Sequence, residues 1–270
     1  MRSFYTVVPM LILALFAVGI CIGQEFVTDG LVSFWSFDKS TINGEKVADV
    51  WGNANGTMTD TSVVQGKINE GLEFNGSSSM VTIDMDKSLD ITDAISMDAW
   101  IKISEWLLDP NRNIIIARYD QDAGKRDLQF SLNPDNSLAT YMGHTNGTAY
   151  AQTQKGGQNQ DWVDQWVHVA FTWDHSDGGL TKLYVDGEEI GSYLDQDPLE
   201  EPLLIFDIPW VVGAMQAQSR FFSGVIDELR IYDKRLSDDE VARNFGVKSN
   251  DVAVEPQEKL ATLWGSVKSW

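Results

Sequence analysis

Apolar and polar residues along this chain alternate in short runs broken by Gly, Asn, Asp and Pro, and no sustained helical period occurs before Ser237. Alternation of period two marks a strand with one face buried, because successive side chains point to opposite sides of a sheet. On that rule strands are predicted over residues 31–37, 71–74, 80–83, 95–103, 114–119, 128–132, 138–141, 149–152, 166–173, 182–185, 188–193, 210–213 and 222–232. Asp186-Gly187 stands between Leu183-Tyr184-Val185 and Glu188-Glu189-Ile190, which is the chemistry of a two-residue hairpin turn. Asn75-Gly76 and Asn146-Gly147 mark similar turns. Short strands in this number, with aromatic residues spread among them, predict an all-β domain: a two-sheet antiparallel jelly-roll sandwich.

Residues 224–244 are the most structured stretch of the pattern. Val225, Leu229 and Ile231 alternate with Ile226, Glu228, Arg230 and Tyr232, which predicts a half-buried strand. Ser237 then precedes Glu240 by three residues, so each side chain can satisfy the other's free backbone N–H, and Asp238 and Asp239 favour the positive end of a helix. One short C-terminal helix is therefore expected after Ser237. On this phase Asp227 falls on the apolar face with Val225, Leu229 and Ile231. A carboxylate there costs several kcal/mol unless a cation or hydrogen-bond donors compensate it.

The first two dozen residues do not read as fold. Arg2 precedes an apolar run from Val7 to Ile22, and Gln24 and Glu25 begin polar sequence, which is the layout of a secretory signal over residues 1–23. The run is shorter than the roughly 20 residues that span a bilayer, and Pro9 interrupts it. The domain is expected over residues 26–246, followed by a separate tail over 247–270. That tail is polar up to Pro256 and then places Leu260, Leu263 and Trp264 on one helical face. Cys21 is the sole cysteine and lies in the signal, so the exported chain must hold together without disulfides. A secreted or cell-surface location follows. The formal charge is −20, and removing Arg2 leaves 19 basic residues against 40 acidic ones. Such a surface repels phosphate backbones and anionic lipids, which excludes nucleic acid, and a membrane once the signal is gone, as partners.

Several stretches occur in a fixed order: Leu31-Val-Ser-Phe-Trp-Ser-Phe-Asp38, Asp49-Val-Trp-Gly-Asn-Ala-Asn-Gly56, Gly71-Leu-Glu-Phe-Asn-Gly76 and Ile95-Ser-Met-Asp-Ala-Trp-Ile-Lys102. Trp166-Val-His-Val-Ala-Phe-Thr-Trp-Asp174 and Leu183-Tyr-Val-Asp-Gly187 follow, and the stretch from Gly224 closes the set. In this order, from Leu31 to Asn244, the chain resembles the laminin-G-like jelly-roll domains of the concanavalin A-like lectin and glucanase superfamily. The resemblance implies a sandwich whose binding surface is carried on variable loops, as in carbohydrate-binding modules, adhesion domains and appended modules of exported enzymes. It also implies that calcium is the candidate cofactor, tying strand ends to a loop. Hard cations take oxygen ligands, so Asp38 at the end of the first strand and Asp227 in the last are the first metal candidates, with Asp49 and Asn53 from the intervening turn. The competing account is that Asp227 accepts backbone N–H bonds while Asp49 and Asn53 shape turns.

Hydrolytic members of the superfamily place two carboxylates at alternate positions of one strand, flanking the sugar bond. The pattern Glu-x-Asp-x-Glu or its bulged form does not occur, and the nearest acidic cluster, 195–201, is broken by Pro198. His144, His168 and His175 have no zinc spacing, and His168 is expected in the core of a central strand. A sugar site needs flat rings beside amide or carboxylate groups. The candidates are Trp51, Trp106, Tyr119, Tyr150 and Trp162, each beside polar residues and each equally able to be plain packing. Trp35, Trp100, Trp166 and Trp173 fit the alternating core pattern. The triplets at Asn55, Asn75 and Asn146 match the glycosylation pattern and equally well reflect turn chemistry. The expected function is an exported, non-catalytic carbohydrate-binding module that recognises an extracellular or cell-surface glycan. An adhesion domain that engages a surface protein, or a glucan hydrolase, are the alternatives.

Overall fold

A computed structural model describes residues 25–107, 113–120, 123–135, 137–144, 147–152, 162–190, 193–194, 201–216 and 220–248. The signal segment and the tail beyond Lys248 lie outside these residues. In chain order the first strands are β1 (Leu31–Trp35), β2 (Ile42–Asn43), β3 (Lys46–Val47), β4 (Gly56–Thr59), β5 (Ser62–Gln65), β6 (Glu70–Asn75), β7 (Met80–Ile83), β8 (Ala94–Ile103) and β9 (Asn113–Asp120). They are followed by β10 (Lys125–Leu132), β11 (Leu138–His144), β12 (Gly147–Gln152), β13 (Val167–Asp174), β14 (Lys182–Val185), β15 (Glu188–Glu189), β16 (Tyr193–Leu194), β17 (Val211–Val212) and β18 (Ser223–Tyr232), and then by helix α1 (Asp238–Phe245).

These strands form two antiparallel sheets. The first runs β15-β14-β13-β8-β18-β6-β5, with β1 also paired to the C-terminal half of β18. The second runs β16-β12-β11-β10-β9-β17-β7-β4-β3-β2. The sandwich and its antiparallel pairing are those expected of a jelly roll. Trp35, Phe74, Ile101, Phe130, Phe171 and Trp173 fill the space between the sheets. Phe130 of β10 meets Phe171 of β13 edge to face across that space, with centroids 5.0 Å apart. Asp186 and Gly187 take positive φ (50° and 80°) and close the β14–β15 hairpin. Ser237 and Glu240 form the reciprocal cap at the start of α1.

The phase of β18 differs from the sequence expectation. Asp227 pairs with Trp100 and Arg230 with Asp98, so one extra residue is accommodated between them, and Glu228 takes φ 55°. This bulge shifts the alternation by one. Ile226 faces the inter-sheet core before it, and Leu229 and Ile231 after it. Asp227 is therefore not on the core face but shares the outer face of the first sheet with Trp100. Trp100 itself packs there against His168 and Phe245, at 5.2 and 5.5 Å between centroids, and not between the sheets.

That outer face is buried under α1 and the N-terminal residues. Arg230 lies against the paired rings of Phe26 and Phe34, 4.9 and 4.5 Å from their centroids, and donates to Asp98 at 3.1 Å and to Glu228. Asn244 of α1 donates to Asp98 at 2.7 Å and to the Tyr232 hydroxyl at 2.9 Å, and it accepts from the Val27 N–H at 2.8 Å. His168 Nε2 is 3.5 Å from Asp98. Burial would raise the Asp98 carboxyl, but the contacts from His168, Arg230 and Asn244 outweigh it and hold the group below the usual range. Val247 is also buried against this cluster, one residue beyond the expected domain boundary.

Candidate functional site

Asp227 is fully buried where the turn between β5 and β6 folds over the first sheet. Its Oδ2 accepts the Lys67 and Ile68 N–H groups at 2.8 and 3.0 Å, while Oδ1 is buried with no hydrogen-bond partner. Gly66 lies so close that a Cβ there would come within 2.6 Å of Oδ2. Burial, then the neighbouring Glu228 charge, push the Asp227 carboxyl up to about 8 against the pull of the two N–H donors, and Asp38 adds to the rise. Asp38 is also buried and accepts the Glu70 N–H at 3.3 Å, so the two carboxylates flank one short turn. A bare buried oxygen beside a second carboxylate fits a hard cation and offers nothing to a soft one. Among the described residues no three acidic, histidine or cysteine side chains gather into a metal set. A calcium ion here would therefore complete its shell with backbone carbonyls and water.

Asp49 does different work. Its carboxylate accepts four backbone N–H bonds, from Phe34 (2.9 Å), Trp51 (3.1 Å), Gly52 (2.8 Å) and Ala54 (3.1 Å), and so folds residues 49–54 against β1. Asn53 is exposed on that turn, and Trp51 packs half-buried against the cluster under α1. Of the other aromatic candidates, Trp106 and Trp162 are brought together with centroids 5.6 Å apart, Trp162 being buried and Trp106 half-buried. Tyr119 is on strand β9, as the alternation predicts, and is buried with Ile114, Ala117 and Met215 beside Tyr141. Tyr150 pairs with Tyr141 through the β11–β12 ladder, and its side chain lies outside the described residues.

A cavity of about 260 Å³ opens where the chain crosses between sheets after β7. Asp86, Lys87 and Asp90 wall one side, Asp207 and Trp210 the other, and Arg118 of β9 bridges them. Arg118 donates to Asp90 at 2.9 Å and to Asp127, and its guanidinium lies 4.9 Å from the Trp210 ring centroid. Asp127 is 1% exposed. Burial pushes its carboxyl up to about 7, with Arg118 pulling down and Asp90 adding to the rise. None of these residues was singled out by the sequence pattern. The available signal was Arg118 itself, the one charge in the otherwise apolar run Ile114–Tyr119, which requires a buried partner.

Residues 75–242 match the Laminin_G_3 family model, described as concanavalin A-like lectin/glucanases superfamily. The chain belongs to that family. No curated protein sequence matches this Laminin_G_3 chain significantly. Among solved structures it is similar to the binding domain of paraclostridial mosquitocidal protein 1, at 17% identity and a TM-score of 0.62, over 80% of this chain and 52% of that one. It is similar to domain 4 of AbnA, an extracellular arabinanase of Geobacillus stearothermophilus solved with arabinotriose, at 22% identity and a TM-score of 0.56, over 78% and 96%. A third is the ligand-binding domain of botulinum neurotoxin serotype D solved with N-acetylneuraminic acid, at 18% identity and a TM-score of 0.58, over 80% and 50%. The chain thus spans about half the length of the two toxin domains. At these identities the likeness is one of fold.

Proposed function

We propose that this Laminin_G_3 domain is an exported, non-catalytic carbohydrate-binding module, stabilised by a calcium ion held between Asp38 and Asp227. The observation that carries the reading is the cavity lined by Met85, Ile208 and Pro209, which combines an apolar wall, backed by the buried ring of Trp210, with carboxylate and guanidinium groups. That pairing suits a sugar, which presents a C–H face to stack and a rim of hydroxyls to bind. The neighbours solved with arabinotriose and with N-acetylneuraminic acid support a glycan as the class of ligand. The apolar run from Val7 to Ile22 supports export. The absence of turnover is favoured by the sequence, which lacks the Glu-x-Asp-x-Glu strand pattern, or its bulged form, that hydrolytic relatives use to flank the sugar bond.

The test is a glycan-binding screen on the folded, signal-free chain with calcium and with a chelator. Retention of at least one oligosaccharide without release of new reducing ends is the expected result. A chain that melts cooperatively yet retains no glycan at millimolar concentration refutes the reading. Chain-dependent cleavage of a glucan returns it to the hydrolases.

A further inference from the structure

The cavity beside Trp210 also restricts which sugars can enter it. Its charged wall holds three carboxylates, Asp86, Asp90 and Asp207, against two cations, Lys87 and Arg118. Arg118 is not open to an incoming anion in the usual forked manner, because Nε is engaged by Asp127, Nη1 by Asp90, and one face of the guanidinium by the Trp210 ring. Asp86 is held as an anion by hydrogen bonds from Ser88, whose N–H donates to it at 2.8 Å. Asp207 and Asp90 are exposed at the mouth; Arg118 already engages Asp90, and Lys87 is the one further cation of the lining. The whole chain, at −20, adds a repulsive field for any acidic ligand. Carboxylates accept hydrogen bonds and cannot donate them, so they select ligands rich in hydroxyl donors and reject ligands that bring a carboxylate. Met85, Ile208 and Pro209 supply apolar surface for the C–H face of a ring, with Trp210 buried behind them. A space of about 260 Å³ is at the small end for a ligand pocket and suits one sugar residue.

We propose that this cavity is the module's binding subsite and that it receives one residue of an uncharged glycan, through hydroxyls donated to Asp90 and Asp207, while rejecting sialylated and uronic-acid sugars. The assignment rests on the carbohydrate-binding reading above. Calorimetric titration of the signal-free chain compares neutral oligosaccharides of arabinose, xylose, glucose and galactose with 3′-sialyllactose and a galacturonate trisaccharide, at low and high salt. At least one neutral series binds, and the acidic probes bind more weakly by about tenfold or more, a gap that narrows with salt. Asp90→Asn and Asp207→Asn each weaken the neutral ligand by about tenfold and bring the acidic probes closer to it. Asp207 is exposed and holds no part of the Arg118 cluster, so its variant separates loss of a ligand contact from loss of fold. Equal or tighter binding of the acidic probes, or neutral binding untouched by both variants, overturns the subsite while leaving a carbohydrate-binding module elsewhere on the domain. Failure of every glycan overturns the module reading itself.

Discussion

Replacing Asp227 by Asn separates two tasks that one carboxylate performs. Oδ2 accepts the Lys67 and Ile68 N–H groups, and an amide oxygen can do the same, so the turn over the first sheet is retained. Oδ1 has no partner in the protein, and an amide nitrogen in its place cannot ligate a cation. If calcium sits there, saturation at about 100 times its dissociation constant stabilises the native state by about 2.7 kcal/mol, because the unfolded chain has no site. For a domain of this size each kcal/mol moves the midpoint by about 2–4 °C, so the expected shift is about 5–10 °C. Scanning calorimetry of the wild type should show that loss on adding a chelator and its recovery on adding excess calcium. Asp227→Asn should melt at one temperature in both buffers. A wild-type midpoint indifferent to chelator refutes the cation site, and so does an Asn variant that keeps the full shift.

Three further outcomes follow from buried carboxylates. Asp98→Ala strips the acceptor shared by Arg230 and Asn244 and leaves the guanidinium buried with less compensation. The expected loss is about 3–5 kcal/mol in urea melts, against at most about 1 kcal/mol for Lys182→Ala, whose ion pairs with Glu189 and Asp238 lie at the surface. Asp49→Ala leaves four backbone N–H groups, three in the turn and one in β1, without their acceptor and should cost about 2–4 kcal/mol, whereas Asp49→Asn should recover part of it. Asp127 titrates near 7 in the native state against 3.8 in the unfolded chain, so between those values the native state holds the extra proton. Its stabilisation is complete below the lower value and is lost as pH rises towards 7, so the wild type should fall relative to Asp127→Asn across pH 4–7 in urea midpoints, and parallel curves would contradict it.

Much of this fold is legible in the sequence because its determinants are local. The Asp186-Gly187 turn, the Ser237–Glu240 cap and the alternating strands need only neighbours a few residues away. Strand β18 was misphased for a local reason too. The bulge places Glu228 at positive φ, where glycine would be the usual signal, and no residue type in the sequence marks it. The cavity was illegible because it is assembled over distance: Asp90 meets Arg118 across 28 residues, and Trp210 arrives from beyond strands β8 to β16. A lone loop tryptophan attracts notice in a sequence, yet burial decides its role, and Trp162 spends its surface on Trp106.

The extra residue in β18 links stability to the candidate cation site. Without it, a strict alternation that buried Ile226 between the sheets would carry Glu228 and Arg230 inward after it and turn Leu229 and Ile231 out. With it, one ten-residue strand serves three environments in succession. Ile226, Leu229 and Ile231 fill the core, Asp227 meets the β5–β6 turn on the outer face, and Arg230 reaches the carboxylates beneath α1. Glu228 then neutralises Arg230 while raising the cost of charge on Asp227. A cation beside Asp227 would relieve that cost at the point where the bulge concentrates it; without one, the proton that burial holds on Asp227 up to about pH 8 removes the charge, so the acidic pair Asp227-Glu228 is accommodated in a strand whose every residue is buried.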